Sequence, residues 1–227
     1  MTNTFNKWQR MHIEHYNQNC KTLPDIEIFR KVFKTDITAT IDENIVNRCI
    51  EWSYSDSFGQ AGRYIGFTKE RLPAINEKFQ NILGQYEYKF SRAMIADFAD
   101  YIKTYPMSVT RIDKNGKERT VSCTPYGLSQ KFVNMFFKNI MVYSNFLKSI
   151  QLCCNDCDCP IDSNILSSIG RSDLAWSKFH EKDYSDCQKL IRKKLSDYPI
   201  IATDPFLSTI GNLAYDFIEF IPLVTKS

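Results

Sequence analysis

The chain lacks most of the short signals that identify an enzyme class at sight. Its 8 glycines form no G-x-G-x-x-G after a strand; Gly59, Gly62 and Gly66 mark a loop in Ser57 to Phe67, and no P-loop is present. The phosphate cradles of the dinucleotide- and nucleoside-triphosphate-binding folds are thereby excluded. A long uninterrupted apolar run is also missing. The most apolar stretch, Phe206 to Val224, contains Asp216, Glu219 and Pro222, which makes it a poor membrane span. Met1 to Asn19 is polar, carries His12 and His15, and has no apolar h-region of a secretory signal. Charge of one sign is not in excess: 29 basic against 26 acidic residues leave +3. That balance permits nucleic-acid binding without the basic stripe that would demand it. No internal repeat or low-complexity tract occurs. With no signal segment, the 8 cysteines read as reduced thiols, and the expected location is the cytoplasm.

What the chain does have is helical periodicity and aromatic side chains. Of its 227 residues 43% are hydrophobic, enough for a globular core, and 16 Phe and 12 Tyr can fill that core or stack nucleobases. Asn6 to Tyr16 is a plausible amphipathic start. Ile41, Ile45, Cys49 and Trp52 recur at helical spacing, with Asp42 near the entry. Leu72, Ile75, Phe79, Ile82 and Leu83 fit one helical face; Met94, Ile95, Phe98, Tyr101 and Ile102 make another. Ser185-Asp186-Cys187-Gln188 has the form of a capping box ahead of Leu190, Ile191 and Leu195. Asp204-Pro205 opens a last helix carrying Phe206, Ile210, Leu213 and Phe217. One segment departs from this pattern. Ser108–Asp113 and Lys117–Ser122 are alternating, β-branched runs around Lys114-Asn115-Gly116, a strong hairpin signal. The expected fold is mainly α, one unit over 1–227 with a β-hairpin inserted at 108–122.

Two residues carry the chemistry. Gly127 is a natural turn residue and Ser129 a candidate cap for a helix in which Phe132 to Ile150 is apolar on nearly every side, hence buried. Lys131 falls in its first turn, where burial and the positive end of the helix dipole both favour the neutral amine that a Schiff-base lysine requires. A lysine there can equally snorkel to solvent. Asp162 precedes Ser163-Asn164-Ile165-Leu166. Its plainest role is an N-cap, and the same position holds an ionised carboxylate at a helix end.

Gly-x-x-x-Lys leading into an apolar helix, followed by Pro160-Ile161-Asp162 leading into another, resembles the helix-hairpin-helix (HhH-GPD) DNA glycosylases. The run Gln130 to Lys138 is nearest the archaeal 8-oxoguanine glycosylase branch. The likeness covers roughly residues 91–180. It departs from the family in three places: Thr124-Pro125-Tyr126-Gly127-Leu128-Ser129 replaces the usual glycine hairpin, the gap from residue 131 to residue 162 is longer than usual, and the β-hairpin at 108–122 sits where the first helix of the motif would lead into the turn. The resemblance implies a two-lobed helical fold with double-stranded DNA across the cleft and a damaged or modified base flipped between the lobes. It implies that Lys131 attacks the sugar C1′ and that Asp162 stabilises the developing oxocarbenium charge and helps activate the lysine. Excision of the base, with lysine Schiff-base (lyase) chemistry as an option, needs no cofactor.

The remaining candidates follow from residue type. Trp52, Phe58, Gln60, Tyr64 and Trp176 suit the base pocket, and Asp56 could read a base edge beside Gln60. Gly127, Ser129, Arg111, Lys114, Lys117 and Arg119 suit contacts to DNA phosphates, and Lys189, Arg192, Lys193 and Lys194 form a second basic cluster. Cys154 and Cys157 are a C-x-x-C within Cys153–Cys159, but a second ligand pair for zinc is not evident. Only Cys187 follows Asp162, so the four cysteines of an iron–sulfur cluster are absent from that stretch. A monomer with no membrane partner is expected. The alternative is a non-enzymatic helical DNA- or protein-binding module, with or without zinc on Cys154 and Cys157.

Overall fold

The structure, a computed structural model, describes residues 45–59, 65–112, 114–147, 156–198 and 211–219. Seven α-helices and one two-stranded antiparallel sheet make up the described fold, which is mainly helical as the periodicity predicts. In chain order these are α1 (Ile45–Ser57), α2 (Leu72–Gln85), α3 (Arg92–Ile102), β1 (Ser108–Ile112), β2 (Glu118–Ser122), α4 (Pro125–Leu147), α5 (Ser163–Ser168), α6 (Glu181–Leu195) and α7 (Leu213–Glu219). Among the described residues, no helix is long and apolar enough to cross a membrane.

Helix α4 is the axis of the fold, and α1 and α3 pack most extensively along it. Leu128 to Gln130, Phe132 to Asn134 and Phe136 to Ile140 are all buried, as expected of a helix apolar on nearly every side. Phe132 stacks on Phe98 at 4.6 Å between ring centres and meets the edge of Phe79 at 4.8 Å; Phe79 in turn meets Phe136 at 5.0 Å. These rings lock α2, α3 and α4 together, so these described aromatic side chains serve the core. Asn47 of α1 accepts from Asn76 and Gln80 of α2 at 3.0 and 2.6 Å, which fixes how those two helices cross.

Several helix ends differ from the sequence expectation. Thr124, not Ser129, caps α4: its hydroxyl accepts from Gly127 N–H at 3.0 Å. Gly127 and Ser129 therefore lie inside the helix and are buried. Helix α6 begins at Glu181, with the Asp183 carboxylate accepting from the His180 N–H at 3.0 Å, so Ser185–Gln188 is helix interior rather than a capping box. Gly211 has φ +62°, which ends any single helix running from Phe206 to Phe217. A Cβ there would meet the Asp156 backbone at 2.8 Å, so glycine is also required by close approach. The expected helix over Asn6–Tyr16, Asp42 and the stretch 204–210 lie outside the described residues.

The hairpin forms as expected, with Val109 opposite Val121 and Arg111 opposite Arg119. Cys123 N–H donates to the Met107 carbonyl at 2.9 Å and closes its root.

Candidate active site

An extended segment, Cys157 to Ile161, threads between α4 and α6 with every residue buried. Buried backbone without a strand neighbour needs other partners. Two glutamines supply them. Gln130 of α4 donates to the Ile161 carbonyl at 2.9 Å and accepts from its N–H at 3.2 Å. Gln188 of α6 does the same for Cys159, at 2.6 and 3.1 Å. Gln130 and Ile161 immediately precede Lys131 and Asp162, so this clip brings the two candidate residues to one place. Lys131 Nζ lies 3.6 Å from Asp162 Oδ2, with the side chains 13% and 20% exposed. Asp162 Oδ1 accepts from the Asn164 and Ile165 N–H groups at 2.9 and 3.1 Å. One carboxylate oxygen caps α5 while the other faces the amine, so the cap and the counter-charge are compatible roles.

Trp176 completes this group. Its ring centre is 4.8 Å from Lys131 Nζ, a cation–π distance. The Trp176 segment is fixed to the start of α4: Thr124 N–H donates to the Ser177 carbonyl at 2.7 Å, and the Thr124 hydroxyl donates to Phe179 O. Gly127 allows this approach, because a Cβ on it would lie 2.6 Å from Trp176 O and 2.8 Å from Ser177 C. Gly127→Ala must therefore push the Trp176 turn away from α4. The expected result is a loss of about 1–3 kcal/mol of stability, the usual cost of overpacking, together with a red-shifted Trp emission; an unchanged urea midpoint would show that the turn yields freely.

Two further charges sit on the same side. Lys138, seven residues and about two turns beyond Lys131, forms an ion pair with Asp216 of α7, with side chains only 3% and 5% exposed. Burial pushes the Asp216 carboxyl up and Lys138 pulls it back. Asp56, in the last turn of α1, keeps access to solvent, yet the surrounding protein displaces enough water to raise its carboxyl, opposed by Lys138 and then Lys131. Lys131, Lys138, Asp56, Asp162 and Asp216 thus share one electrostatic field. A raised carboxyl costs stability while ionised, and that cost is relieved as pH falls through the raised value. Asp56→Asn should therefore raise the urea midpoint at neutral pH, with the gain vanishing in acid near about pH 4. A gain that persists in acid would assign it to something other than charge.

Other expected site residues are placed differently. Phe58 is fully buried, stacked on Phe67 at 4.5 Å and tilted against Phe132 at 5.7 Å, so it offers no face to a base. Trp52 is partly buried against the core. Gln60 and Tyr64 lie outside the described residues. Ser129 is 0% exposed, which removes it from any surface contact to phosphate, and Gly127 is turned against the Trp176 backbone. Arg111, Lys114, Lys117 and Arg119 are exposed on the hairpin. The second basic cluster has structural partners: Lys189 pairs with Asp186 at 2.9 Å, and Lys194 donates to Ser168 O. Lys138 and Asp216 were the residues hardest to find from sequence. Their signal was a lysine seven residues after Lys131 in an apolar helix, and an aspartate in the most apolar stretch of the chain.

The cysteine segment is structural where it is described. Asp158 is 2% exposed and is held by Arg92 Nε and Nη2 at 2.5 and 2.9 Å and by the Tyr184 hydroxyl at 2.9 Å. A depression lined by Phe90, Ser91, Arg92, Asp156, Asp158 and Arg192 lies over this network and includes neither Lys131 nor Asp162. No group of three metal-ligating side chains occurs among the described residues, and Cys154 is not among them. Cys157 and Cys159 are fully buried. Burial pushes the Cys49 and Cys159 thiols well up and the Cys187 thiol to about 11. Iodoacetamide applied near the ordinary thiol value of about 8.5 should leave these three unmodified in native protein and alkylate them in guanidinium, as read by mass spectrometry. Rapid native modification of Cys159 would contradict the packing described.

Compared with protein-family models, curated proteins and solved structures, the chain matches none.

Proposed function

We propose that the protein is a DNA glycosylase that excises a damaged or modified base from double-stranded DNA, with Lys131 as the nucleophile. The observation that carries this is the Lys131–Asp162 pair, 3.6 Å apart, clipped together by Gln130 and Ile161 and backed by Trp176. In isolation a lysine in an early helical turn and an aspartate at a helix N-cap are commonplace. Their convergence across 31 residues, in the order of elements that the HhH-GPD glycosylases use, is the unusual feature. The two-lobed form of that fold, with DNA across the cleft, belongs to the same proposal.

The chemistry follows from the charges. Both neighbours of Lys131 suit an ammonium: the carboxylate as counter-charge, the indole face as a cation–π partner. To attack, Lys131 must release a proton, and Asp162 is the adjacent acceptor. The separation is longer than a hydrogen bond, as catalytic contacts often are without substrate. The freed amine forms a bond to C1′, the N-glycosidic bond breaks, and its electron pair leaves with the base. Asp162 passes the proton it took from Lys131 on to the departing base, and as the carboxylate it stabilises the oxocarbenium character the sugar gains. The ring then opens: the C1′–O4′ bond breaks, O4′ takes up the proton that the nitrogen gives up, and the imine so formed is the species that permits strand cleavage.

The test is incubation with duplexes that each carry one oxidised, alkylated or otherwise modified base, in the presence of borohydride. A covalent protein–DNA species with at least one of them, and none with unmodified duplex, is the expected result. No such species and no free base released from any duplex would sink the proposal.

A further inference from the structure

The segment that carries Asp162 to the site has a second anchor, which the mechanism above does not use. An extended run with no strand neighbour has no ladder to fix its register, so the side chains that clamp it must do so. Gln130 clamps the end next to Asp162. The other end is held by Asp158, four residues before Asp162. The buried Asp158 carboxylate receives donors from three directions. Arg92, at the start of α3, gives two: Nε to Oδ2 and Nη2 to Oδ1. The Tyr184 hydroxyl of α6 donates to Oδ2 at 2.9 Å, and Asn212, next to α7, reaches Oδ1 at 3.5 Å. Tyr184 in turn accepts from Asn134 Nδ2 at 2.8 Å. Asn134 stands three residues past Lys131 on α4, just under one turn. The helix carrying the lysine is thus tied to both ends of the segment leading to the aspartate: through Gln130 to Ile161, and through Asn134 and Tyr184 to Asp158.

Stability alone does not call for a carboxylate here, because apolar residues of similar volume usually replace a buried ion pair without loss. What directed, charge-assisted hydrogen bonds add is a fixed position. In an extended chain successive side chains point to opposite sides, so a slip of one residue would turn Asp162 away from Lys131. We propose that Asp158 is a positioning residue: latched by Arg92 and Tyr184, it pins the register of the 157–161 segment and so sets where Asp162 stands against Lys131. The placement is a property of the chain by itself; its effect on turnover rests on the glycosylase reading above. Misplacing a reacting group by about 1 Å can cost on the order of 10^2-fold in rate.

The test is zero-length carbodiimide cross-linking of the full chain, read by mass spectrometry. The reagent joins an amine to a carboxylate only where the two meet. The unaltered protein should give the Lys131–Asp162 amide, with the exposed Lys103–Asp100 pair, 2.7 Å apart, as internal reference. The Arg92→Met, Asp158→Leu double variant removes the pin and strands neither charge. Its thermal midpoint should stay close to that of the unaltered protein, while its Lys131–Asp162 cross-link falls several-fold against the reference. On a modified duplex its kcat should fall about 10^2-fold with KM little changed. Tyr184→Phe, which lacks only the bridging hydroxyl, should lose part of both. An unchanged cross-link in the double variant would overturn the proposal, as would an unchanged cross-link in Tyr184→Phe if the double variant does not fold. A cross-link lost only together with the thermal midpoint would make Asp158 structural and would overturn it too. The outcomes separate from those for Lys131. A pin-dependent cross-link with no base released from any duplex by the unaltered protein removes the glycosylase chemistry alone. Normal base release with a cross-link indifferent to Asp158 removes the pin alone.

Discussion

Lys131→Gln should abolish the borohydride-trapped species and lower base release on the order of 10^4-fold or more, the scale on which loss of a nucleophile is usually felt. Glutamine keeps most of the side chain's length and its contact with Trp176 but can form no imine. Affinity for duplex DNA should change little, since the loss falls on the bond-making step. Asp162→Asn should cost about 10^2–10^4-fold, the range for a missing general base. Asparagine retains an oxygen able to cap α5 through the Asn164 and Ile165 N–H groups, so the helix end should survive. A separation of effects is therefore expected: kcat falls in both variants while thermal midpoints stay close to that of the unaltered protein. If Asp162→Asn instead lowers stability and leaves turnover intact, Asp162 is a cap and nothing more.

The second large effect concerns the buried Lys138–Asp216 pair. Removing one member of a buried ion pair leaves the other charge uncompensated and typically costs about 3–5 kcal/mol, whereas replacing both by apolar residues of similar volume is often neutral or stabilising. Lys138→Met and Asp216→Leu should each destabilise on that scale in urea titrations. The double variant should recover most of the loss. The cost ties α7 to α4, so either single change should also loosen the described part of the C-terminal segment in hydrogen exchange. If the double variant is as unstable as the singles, the pair is held by other contacts and the charge argument fails. The pair also bears on the site. Lys138 offers a cation and Asp216 a carboxylate within the field that Asp56 feels, so the double variant should lose activity even where it regains stability.

Much of the helical framework was legible because it is local. The spacing of Leu72, Ile75, Phe79, Ile82 and Leu83, and of Met94, Ile95, Phe98, Tyr101 and Ile102, reports one apolar face in each helix; all of these are buried except Leu72 and Tyr101, which pack half-buried against the core. Asn115-Gly116 between alternating runs marked the hairpin; its register, with Val109 opposite Val121, comes from the structure. The helix ends were less legible because a cap depends on which of several short polar residues the backbone reaches first. Thr124 caps α4 in place of Ser129, and the His180–Asp183 end pre-empts the pattern at Ser185. Gly127 looked like a turn glycine; its requirement is a neighbouring backbone 49 residues on in the chain, at Trp176. Phe58 and Trp176 are both aromatic residues near helix ends, and nothing local distinguishes the one that enters the core from the one that meets Lys131. The pairing of Lys131 with Asp162 was readable only from the order of elements, and that of Lys138 with Asp216 was not readable at all, since it spans from α4 to α7.

The identity of the amine that captures the sugar decides the central claim. Proteolysis of the borohydride-reduced adduct, followed by mass spectrometry of the modified peptide, reads it directly. The sugar-derived mass should fall on the peptide containing Lys131 and on no other. Its appearance on the N-terminal amine or on another lysine, with Lys131 recovered unmodified, would contradict the assignment of Lys131 as the nucleophile.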